Sequence, residues 1–286
     1  MINRLVNVAR FSSRRLQRRA RRLATQLPKR LAPTSRRVRK LAVQVPRRAI
    51  DLVDPARYHE CPCCGELAIS FLPQGPSQRE NARCPSCGSA ERNRLQWLYL
   101  RDKTNLFTDR LEALHFAPEV ALRARLTSLP DLIYHSADLT SNRAAEHFDI
   151  CAIPYADDTF DVILCSHVLE HVPDDRKAMS ELFRVMRPGG WGMIDVPFDD
   201  KHYETVEDPS ITSDAERIRV YGNKGHLRMY GLDFPDRLRA AGFEVTVNRY
   251  AREFAPALIE KYRLPGDGVV TIATKPGLSP SDPPCQ

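Results

Sequence analysis

The first 50 residues contain no aspartate or glutamate, although they hold 16 of the 43 lysines and arginines. The remaining residues have 27 basic and 36 acidic side chains, so the net charge of +7 describes neither part. No run of about 18 apolar residues occurs, which argues against a transmembrane helix. Arginines interrupt every apolar run near the N-terminus, which argues against a secretory signal. These absences predict an acidic globular body with a basic arm, cytoplasmic or peripheral to a membrane.

Residues 1–58 are predicted to form this basic arm, either amphipathic or disordered. Leucines and alanines between Leu5 and Leu27 follow helical spacing, and arginines occupy the other faces. Such a segment can lie on an anionic membrane surface, neutralise RNA phosphates, act as a mitochondrial transit peptide or remain a solvated tail. Only Phe11 is aromatic among residues 1–50, so a platform for stacking bases is not expected.

Five of the eight cysteines lie within residues 61–87, and the pattern Cys-Pro-x-Cys-Gly occurs twice, at 61–65 and 84–88. Two thiolates three positions apart on a tight turn can bind one metal ion from the same side, and the glycine permits the positive φ of such a turn. This spacing predicts a zinc ribbon over residues 59–90. Its expected ligands to a structural Zn²⁺ are Cys61, Cys64, Cys84 and Cys87. Cys63 as a replacement ligand, or reduced cysteines without metal, are the alternatives.

From Leu111 onward, apolar runs of strand length alternate with segments of helical spacing. This alternation is typical of βαβ units on a parallel sheet. Ligands of such sheets bind at the carboxyl ends of the strands. We therefore expect the chemistry of this α/β domain to lie in the residues that follow each strand.

Three segments carry a resemblance to a known family. They are Ile-Pro-Tyr-Ala-Asp-Asp-Thr-Phe-Asp-Val-Ile at 153–163, His-Val-Leu-Glu-His at 167–171 and Arg-Pro-Gly-Gly at 187–190. Their order resembles a class I S-adenosylmethionine-dependent methyltransferase of the type 11 kind, over residues 111–275. With Glu-Arg-Asn-Arg at 91–94 and the cysteine turns, the chain resembles the bacterial group that carries an N-terminal zinc ribbon.

The resemblance implies a Rossmann-like, seven-stranded sheet in a domain spanning residues 91–275, with an insertion at 199–232. A disordered tail is expected at 276–286. The implied cofactor is S-adenosyl-L-methionine, and the implied reaction is methyl transfer. Because the sulfonium is already an activated leaving group, positioning and deprotonation of the acceptor suffice, and a catalytic metal is not required.

The first cofactor loop departs from the family pattern. His115 stands where family members usually have an acidic residue, and Ala117, Pro118 and Glu119 replace a Gly-x-Gly turn. The resemblance implies that Glu119 binds the methionine ammonium group. Alternatively, Glu119 only favours the N-terminus of the next helix through its dipole, and cofactor affinity is weak or lost.

Further cofactor residues follow from the same resemblance. Asp138 is expected to accept hydrogen bonds from the ribose hydroxyls, or alternatively to cap the next segment. Asp149 is expected to accept from the adenine amino group while Ile150 packs on the ring. Ser166 and His167 are expected beside the sulfonium.

Four residues are candidates for acceptor chemistry. His167 and His171 could take a proton from a hydroxyl or amine, because histidine titrates near neutral pH. His226 and Tyr230, within the insertion, are candidates for the acceptor side. A glycan, lipid or small-metabolite acceptor is favoured. RNA methylation is one alternative, and a catalytically degenerate fold that serves as a binding scaffold is the other. The sequence leaves the oligomeric state open.

Overall fold

A computed structural model of the chain describes residues 58–75, 78–197 and 199–277. The predictions for the basic arm and for the tail beyond residue 277 lie outside these residues. None of the helices within the described ranges is long and apolar enough to cross a membrane.

Two short antiparallel hairpins precede the main sheet. Strands β1 (His59–Glu60) and β2 (Leu67–Ala68) form the first, and β3 (Leu72–Gln74) and β4 (Arg79–Arg83) form the second. The two Cys-Pro-x-Cys-Gly turns follow β1 and β4. Gly65 and Gly88 adopt φ values of 72° and 78°, so the predicted need for glycine in both turns is confirmed.

Helix α1 (Glu91–Lys103) connects the hairpins to the sheet. Its Arg94 side chain is fully buried and donates to the carbonyls of Ala82, Ser89 and Tyr262. A buried guanidinium is costly unless its donors are satisfied, and these carbonyls satisfy them. Arg94 therefore fixes α1 between the second hairpin and the C-terminal part of the chain.

The domain has an α/β architecture. Its central sheet is mixed, with parallel and antiparallel pairs, and has six strands. They are β5 (Leu111–Phe116), β6 (Leu132–Ala137), β7 (Phe160–Ser166), β8 (Met186–Asp195), β11 (Glu244–Asn248) and β12 (Val270–Thr274). The order across the sheet is β11-β12-β8-β7-β5-β6. The pairs joining β6, β5, β7 and β8 are parallel, whereas β12 pairs antiparallel with both β8 and β11. Strands β11 and β12 therefore form an antiparallel pair at one edge of the sheet.

The expected seventh strand is not formed among the described residues. Between β6 and β7 the chain makes a single parallel bridge, Ala137 to Glu146. The amides of Ala145 and Glu146 both donate to the carbonyl of Ser136, and Asp138 donates to Glu146. Turns take up the rest of this connection, so the described residues form six strands and one isolated bridge instead of the seven strands that the resemblance implies.

Strand β7 lies at the centre of the sheet and is buried on both faces. Ile163 and Cys165 belong to one apolar cluster, and Val162 and Leu164 belong to the other. Successive side chains of a strand point to opposite faces, so this alternation places a core on each side of the sheet.

Four helices follow the strands, and three shorter elements form the insertion. The helices are α2 (Val120–Leu126), α3 (Asp175–Val185), α5 (Phe234–Ala240) and α6 (Pro256–Tyr262). The insertion contains β9 (Val206–Glu207), α4 (Asp214–Tyr221) and β10 (Arg228–Met229), with β9 and β10 paired antiparallel. The insertion is therefore an ordered subdomain rather than an open loop.

Candidate functional site

A cavity of about 270 Å³ opens at the carboxyl ends of β5, β6 and β7. Strand β5 has β6 on one side and β7 on the other, so the strand order reverses at this point. A topological switch point of this kind is where open α/β sheets bind ligands. Its lining brings together six residues that the sequence predicted separately: Ala117, Asp138, Asp149, Ile150, His167 and His171. The remaining lining residues are Phe116, Leu139, Phe148, Val168, Val172 and Pro173.

Two residues that line this cavity have left-handed backbone conformations. Ala117 has a φ of 46° and His167 a φ of 56°. Non-glycine residues in this region are strained, and such strain persists only where the surroundings impose it. Ala117 follows β5 and His167 follows β7, so the chain turns sharply at both strand ends and leaves space between them.

The predicted ribose and adenine residues line one side of the cavity. The Oδ1 atom of Asp138 accepts from the amides of Thr140 and Ser141, so Asp138 also caps the following turn. The hydrogen bonds from described residues reach Oδ1, which leaves Oδ2 for a ligand. Asp149 is exposed, and Ile150 is buried with only 6% of its surface accessible. A carboxylate and an apolar wall thus face the same space.

The loop after β5 is held by contacts of the buried His115 and Asn93 with the partly exposed Glu119. The Nε2 atom of His115 lies 3.0 Å from Oε2 of Glu119, and Asn93 donates to Oε1 of Glu119 at 3.1 Å. Burial opposes ionisation of Glu119, but the hydrogen bond and charge of His115 outweigh it and hold the pKa of Glu119 below its usual value. Both carboxylate oxygens of Glu119 therefore have protein partners, and a methionine ammonium group would have to compete with Asn93 and His115.

A second cavity, of about 380 Å³, adjoins the first through His167, which lines both. Seven of its twelve lining residues have polar side chains. The polar side chains in it come from α1, from the end of β8 and from the C-terminal loops: Arg92, Gln96, His167, Asp195, Asp200, Arg249 and Asp267.

Helix α1 supplies the most direct polar contacts at the ends of β7 and β8. The Nε2 atom of Gln96 donates to Ser166 Oγ at 2.8 Å and to Asp195 Oδ2 at 2.9 Å. The Ser166 hydroxyl, predicted beside the sulfonium, is thus bound to Gln96. Burial raises the pKa of Asp195, and the bonds from Gln96 and from the Thr271 amide only partly offset this effect.

Of the two candidates in the insertion, His226 lies next to the first cavity, whereas Tyr230 lies in the core. His171, on the cavity wall, lies against His226 with ring centroids 4.9 Å apart. Tyr230 is fully buried, and its hydroxyl donates to Asp175 at 2.8 Å. Tyr230 borders neither cavity, so the structure gives it a packing contact rather than the predicted acceptor contact. Burial raises its pKa well above the usual value, which also disfavours proton transfer.

The four predicted metal ligands meet at one point. Cys61, Cys64, Cys84 and Cys87 place their sulfurs within 4.8 Å of one another. The distances from Cys61 to Cys87 and from Cys64 to Cys84 are 3.6 and 3.8 Å. Four thiolates around Zn²⁺, with bonds of about 2.3 Å in a tetrahedron, lie about 3.8 Å apart. The donor set therefore fits a structural zinc ion.

Cys63 lies outside this group. Its thiol points to the carbonyl of Asn93 at 3.6 Å. Ser89 completes the surroundings of the cluster, with its hydroxyl 3.1 Å from the sulfur of Cys61. The geometry thus favours the four cysteines of the repeat over any set that includes Cys63.

Sequence reasoning missed the polar residues of α1 and the carboxylate at the end of β8. Asn93 and Gln96 stand in a segment that the pattern marks only as a connecting helix. Asp195 ends an apolar strand run, which is a signal that could have identified it, since ligands bind where strands end.

A known protein family matches the part of the chain that follows β5. The family described as methyltransferase domain matches residues 117–194, about a quarter of the chain. This segment runs from the first cofactor loop to the end of β8. The match supports the resemblance to a class I S-adenosylmethionine-dependent methyltransferase.

Two curated relatives share parts of the sequence. The 27-O-demethylrifamycin SV methyltransferase of Amycolatopsis mediterranei is 34% identical over 112 residues, which cover 38% of this chain and 39% of the relative. The ubiquinone/menaquinone biosynthesis C-methyltransferase of Roseobacter denitrificans is 46% identical over 46 residues, 16% of this chain and 18% of the relative. The chain spans about two fifths or less of the length of these relatives.

Solved structures with a similar arrangement include two proteins of low sequence identity. One is phosphoethanolamine N-methyltransferase 2 of Haemonchus contortus in complex with S-adenosyl-L-methionine, at a TM-score of 0.43 and 16% identity, covering 64% of this chain and 52% of that one. The other is the YcgJ protein of Bacillus subtilis, at a TM-score of 0.38 and 16% identity, covering 60% and 95%.

Proposed function

We propose that this protein transfers a methyl group from S-adenosyl-L-methionine to an oxygen or nitrogen acceptor. The observation that carries the proposal is the cavity at the switch point of the sheet. It is bordered by Asp138 and Asp149, and it lies within the segment that matches the methyltransferase domain. The strained turns at Ala117 and His167 leave the space that a nucleoside needs. No observation on the described residues favours the RNA or scaffold alternative.

In this proposal the cofactor lies across the strand ends with its ribose at Asp138 and its adenine against Ile150. Asp149 would accept from the adenine amino group. The methionine part would extend toward His167, where the two cavities meet. The sulfonium methyl would then face the larger cavity, and the acceptor would occupy that cavity.

The lining of the larger cavity supports a small polar acceptor, such as a glycan or a metabolite, over a lipid tail. Two arginines and three aspartates border it, and these groups suit hydroxyl, amine or acidic substituents. Within the described residues, Nε of Arg92 is buried without a hydrogen-bond partner, so the cavity offers an unused donor.

The proposed chemistry is an in-line displacement. The acceptor atom forms a bond to the methyl carbon while the carbon–sulfur bond breaks, and its electron pair stays on sulfur in S-adenosylhomocysteine. His167 lies between the two cavities and is the proposed base for the acceptor proton, with His171 as the second candidate. Asp195, whose carbonyl accepts from the His167 amide at 2.8 Å, holds this turn in place.

We also propose that Cys61, Cys64, Cys84 and Cys87 bind a structural Zn²⁺ in a ribbon over residues 59–90, ahead of a methyltransferase domain over residues 91–275. Two two-stranded hairpins are too small to form an apolar core of their own, so metal binding would add to the folding free energy that they gain by packing on the rest of the chain. The membrane or RNA partner predicted for the basic arm remains a proposal, since the arm lies outside the described residues.

Calorimetric titration of S-adenosyl-L-methionine into the zinc-loaded full chain tests the cofactor proposal. We expect binding with one site per chain in the wild type. Asp138→Ala should weaken it at least about tenfold, because hydrogen bonds to a charged acceptor contribute about 1.5–3 kcal/mol each. Asp214→Ala is the matched control, since Asp214 is an exposed carboxylate that borders neither cavity. Equal affinity of Asp138→Ala and wild type would contradict the proposed ribose site.

A further inference from the structure

Glu170 has a buried carboxylate to which no described residue donates a hydrogen bond. It lies in a single 3₁₀ turn, Leu169–His171, and none of its surface is accessible. Among the residues that the structure describes, no donor makes a hydrogen bond to Oε1 or Oε2. Burying an ionised carboxylate without partners costs several kcal/mol, so such groups are usually paired or bound to a metal ion.

Histidines surround this carboxylate. The Nε2 atom of His226 lies 3.8 Å from Oε1 of Glu170, and Nδ1 of His167 lies 3.4 Å from the same oxygen. Glu170, His171 and His226 each offer one ligand atom within 4.8 Å of the others. These three residues come from two distant parts of the chain, the turn after β7 and the insertion.

Hydrogen bonds fix the orientation of two of the imidazoles. The Nδ1 atom of His171 lies 2.8 Å from the carbonyl oxygen of Gly225, and Nδ1 of His226 lies 2.9 Å from that of Tyr221. A carbonyl oxygen can only accept, so each Nδ1 carries a proton, and Nε2 is the nitrogen that a neutral ring would offer to a metal ion. Metal-binding histidines commonly have this arrangement, with the second ring nitrogen donating to a backbone carbonyl.

We propose that Glu170, His171 and His226 bind a divalent first-row transition-metal ion. Two imidazole nitrogens and one carboxylate suit ions from Mn²⁺ to Zn²⁺ better than Mg²⁺ or Ca²⁺, which prefer oxygen ligands. Ligand atoms at metal bonds of about 2.1 Å lie roughly 3 Å apart. The pair of His226 and Glu170, at 3.8 Å, would need to close by about 1 Å, and atoms at the 4.8 Å limit of the cluster by up to about 2 Å.

This site is separate from the four-cysteine cluster and adjoins the first cavity. His171 belongs both to the proposed site and to the cavity wall. Three protein ligands leave coordination positions open for water or for an oxygen of a bound molecule. The metal proposal stands on the geometry of these three residues and does not depend on the proposed methyl transfer.

The competing explanation is that protons, rather than a metal ion, compensate Glu170. In that case His167 or His226 would be protonated and would form ion pairs with the carboxylate. Only the metal explanation predicts that the protein takes up an ion, so the two explanations give different results in a metal titration.

Cobalt titration of the full chain, loaded with one equivalent of zinc to fill the thiolate site, distinguishes them. Co²⁺ at a nitrogen and oxygen site gives visible d–d absorption without the intense thiolate charge-transfer bands. We expect one Co²⁺ per chain with these weaker bands. Glu170→Gln and His226→Ala should each need at least ten times more cobalt for the same absorbance. His202→Ala is the matched control, because His202 is an exposed histidine beside a carboxylate, Asp199, and lies outside the cluster.

Circular dichroism of each variant shows whether it folds, and Glu170→Gln keeps the size of the side chain. Absence of d–d absorption in zinc-loaded wild type at millimolar cobalt would overturn the proposal. Unchanged cobalt affinity in folded Glu170→Gln would also overturn it. Neither result bears on the cofactor titration, so failure of this inference is distinguishable from failure of the proposed methyl transfer.

Discussion

The side-chain amide of Gln96 donates to the carboxylate of Asp195 at 2.9 Å, across 99 residues of sequence. This bond joins the helix that follows the cysteine cluster to the end of β8. The same amide group also reaches Ser166 at the end of β7. The helix therefore helps to build the wall of the larger cavity, and its polar face contributes to the proposed acceptor site.

Replacing Gln96 by methionine should destabilise the protein. Asp195 would lose a donor in a buried setting, which typically costs about 1–3 kcal/mol. Urea unfolding at neutral pH measures the change. Gln78→Met is the control, because the amide of Gln78 donates to Gly75 in an exposed turn, and a change within about 0.5 kcal/mol is expected there. Equal stability of both variants would show that the Gln96 bond contributes nothing to folding.

Asp195 should make stability depend on pH in the direction opposite to most carboxylates. Burial raises its pKa in the folded protein. Its favourable contribution is then complete below the unfolded pKa of about 3.9 and is lost as the pH rises through the folded pKa. The free energy of unfolding of Asp195→Asn, relative to wild type, should therefore increase from about pH 4 toward neutrality.

Glu181→Gln provides a comparison of opposite sign. The hydrogen bond from Arg184 lowers the pKa of Glu181 to about 2. Its contribution is present above the unfolded pKa of about 4.3 and is lost as the pH falls toward 2. Relative to wild type, the penalty of Glu181→Gln should shrink on acidification. Parallel slopes for the two variants would contradict the assigned environments.

The zinc proposal predicts a difference between neighbouring cysteines. Cys84→Ser should lose the bound metal and the order of the hairpins, because Cys84 is one of the four clustered thiols. Cys63→Ser should retain metal, since the Cys63 thiol faces the carbonyl of Asn93 instead. Elemental analysis of purified protein measures the number of zinc ions per chain. We expect Cys84→Ser to hold one zinc fewer per chain than wild type and Cys63→Ser, whichever ion occupies the site at Glu170. A full complement of zinc in Cys84→Ser would rule out the proposed ligand set.

The strained turn after β5 predicts opposite effects for two substitutions of Ala117. At a φ of 46°, a β-branched side chain is strongly disfavoured, whereas glycine is not. Ala117→Val should lose about 1–2 kcal/mol of stability and bind S-adenosyl-L-methionine more weakly, because its methyl groups enter the cavity. Ala117→Gly should gain up to about 1 kcal/mol.

Thermal unfolding and calorimetry check both substitutions. Ala145→Val is the control, because Ala145 is exposed and does not have a positive φ. A stable Ala117→Val variant with normal cofactor affinity would contradict the account of this turn.

Local sequence patterns predicted much of the fold because those features depend on neighbouring residues. The alternation of apolar runs and helical segments identifies β5 to β8, and the glycines after Cys64 and Cys87 identify two turns with positive φ. The spacing of the cysteines also identified the four that cluster. Each of these signals lies within a few residues of the feature that it predicts.

Other features depend on contacts between distant residues, and local patterns do not contain them. The role of Gln96 requires α1 to lie against the ends of β7 and β8, and nothing near Gln96 indicates this. Tyr230 is a candidate for the acceptor side by its place in the insertion, yet it is buried and its hydroxyl donates to Asp175. The seventh strand was expected from the resemblance, but the connection after β6 pairs through a single bridge at Glu146.

A crystal structure of the full chain soaked with S-adenosylhomocysteine tests the central claim most directly. The account predicts density in the cavity at the switch point, with the ribose hydroxyls at Asp138, the adenine against Ile150 and the sulfur near His167. The larger cavity beyond His167 should remain free of the cofactor product. Density for the nucleoside in the larger cavity, or none in either at millimolar concentration, would contradict the proposed cofactor site.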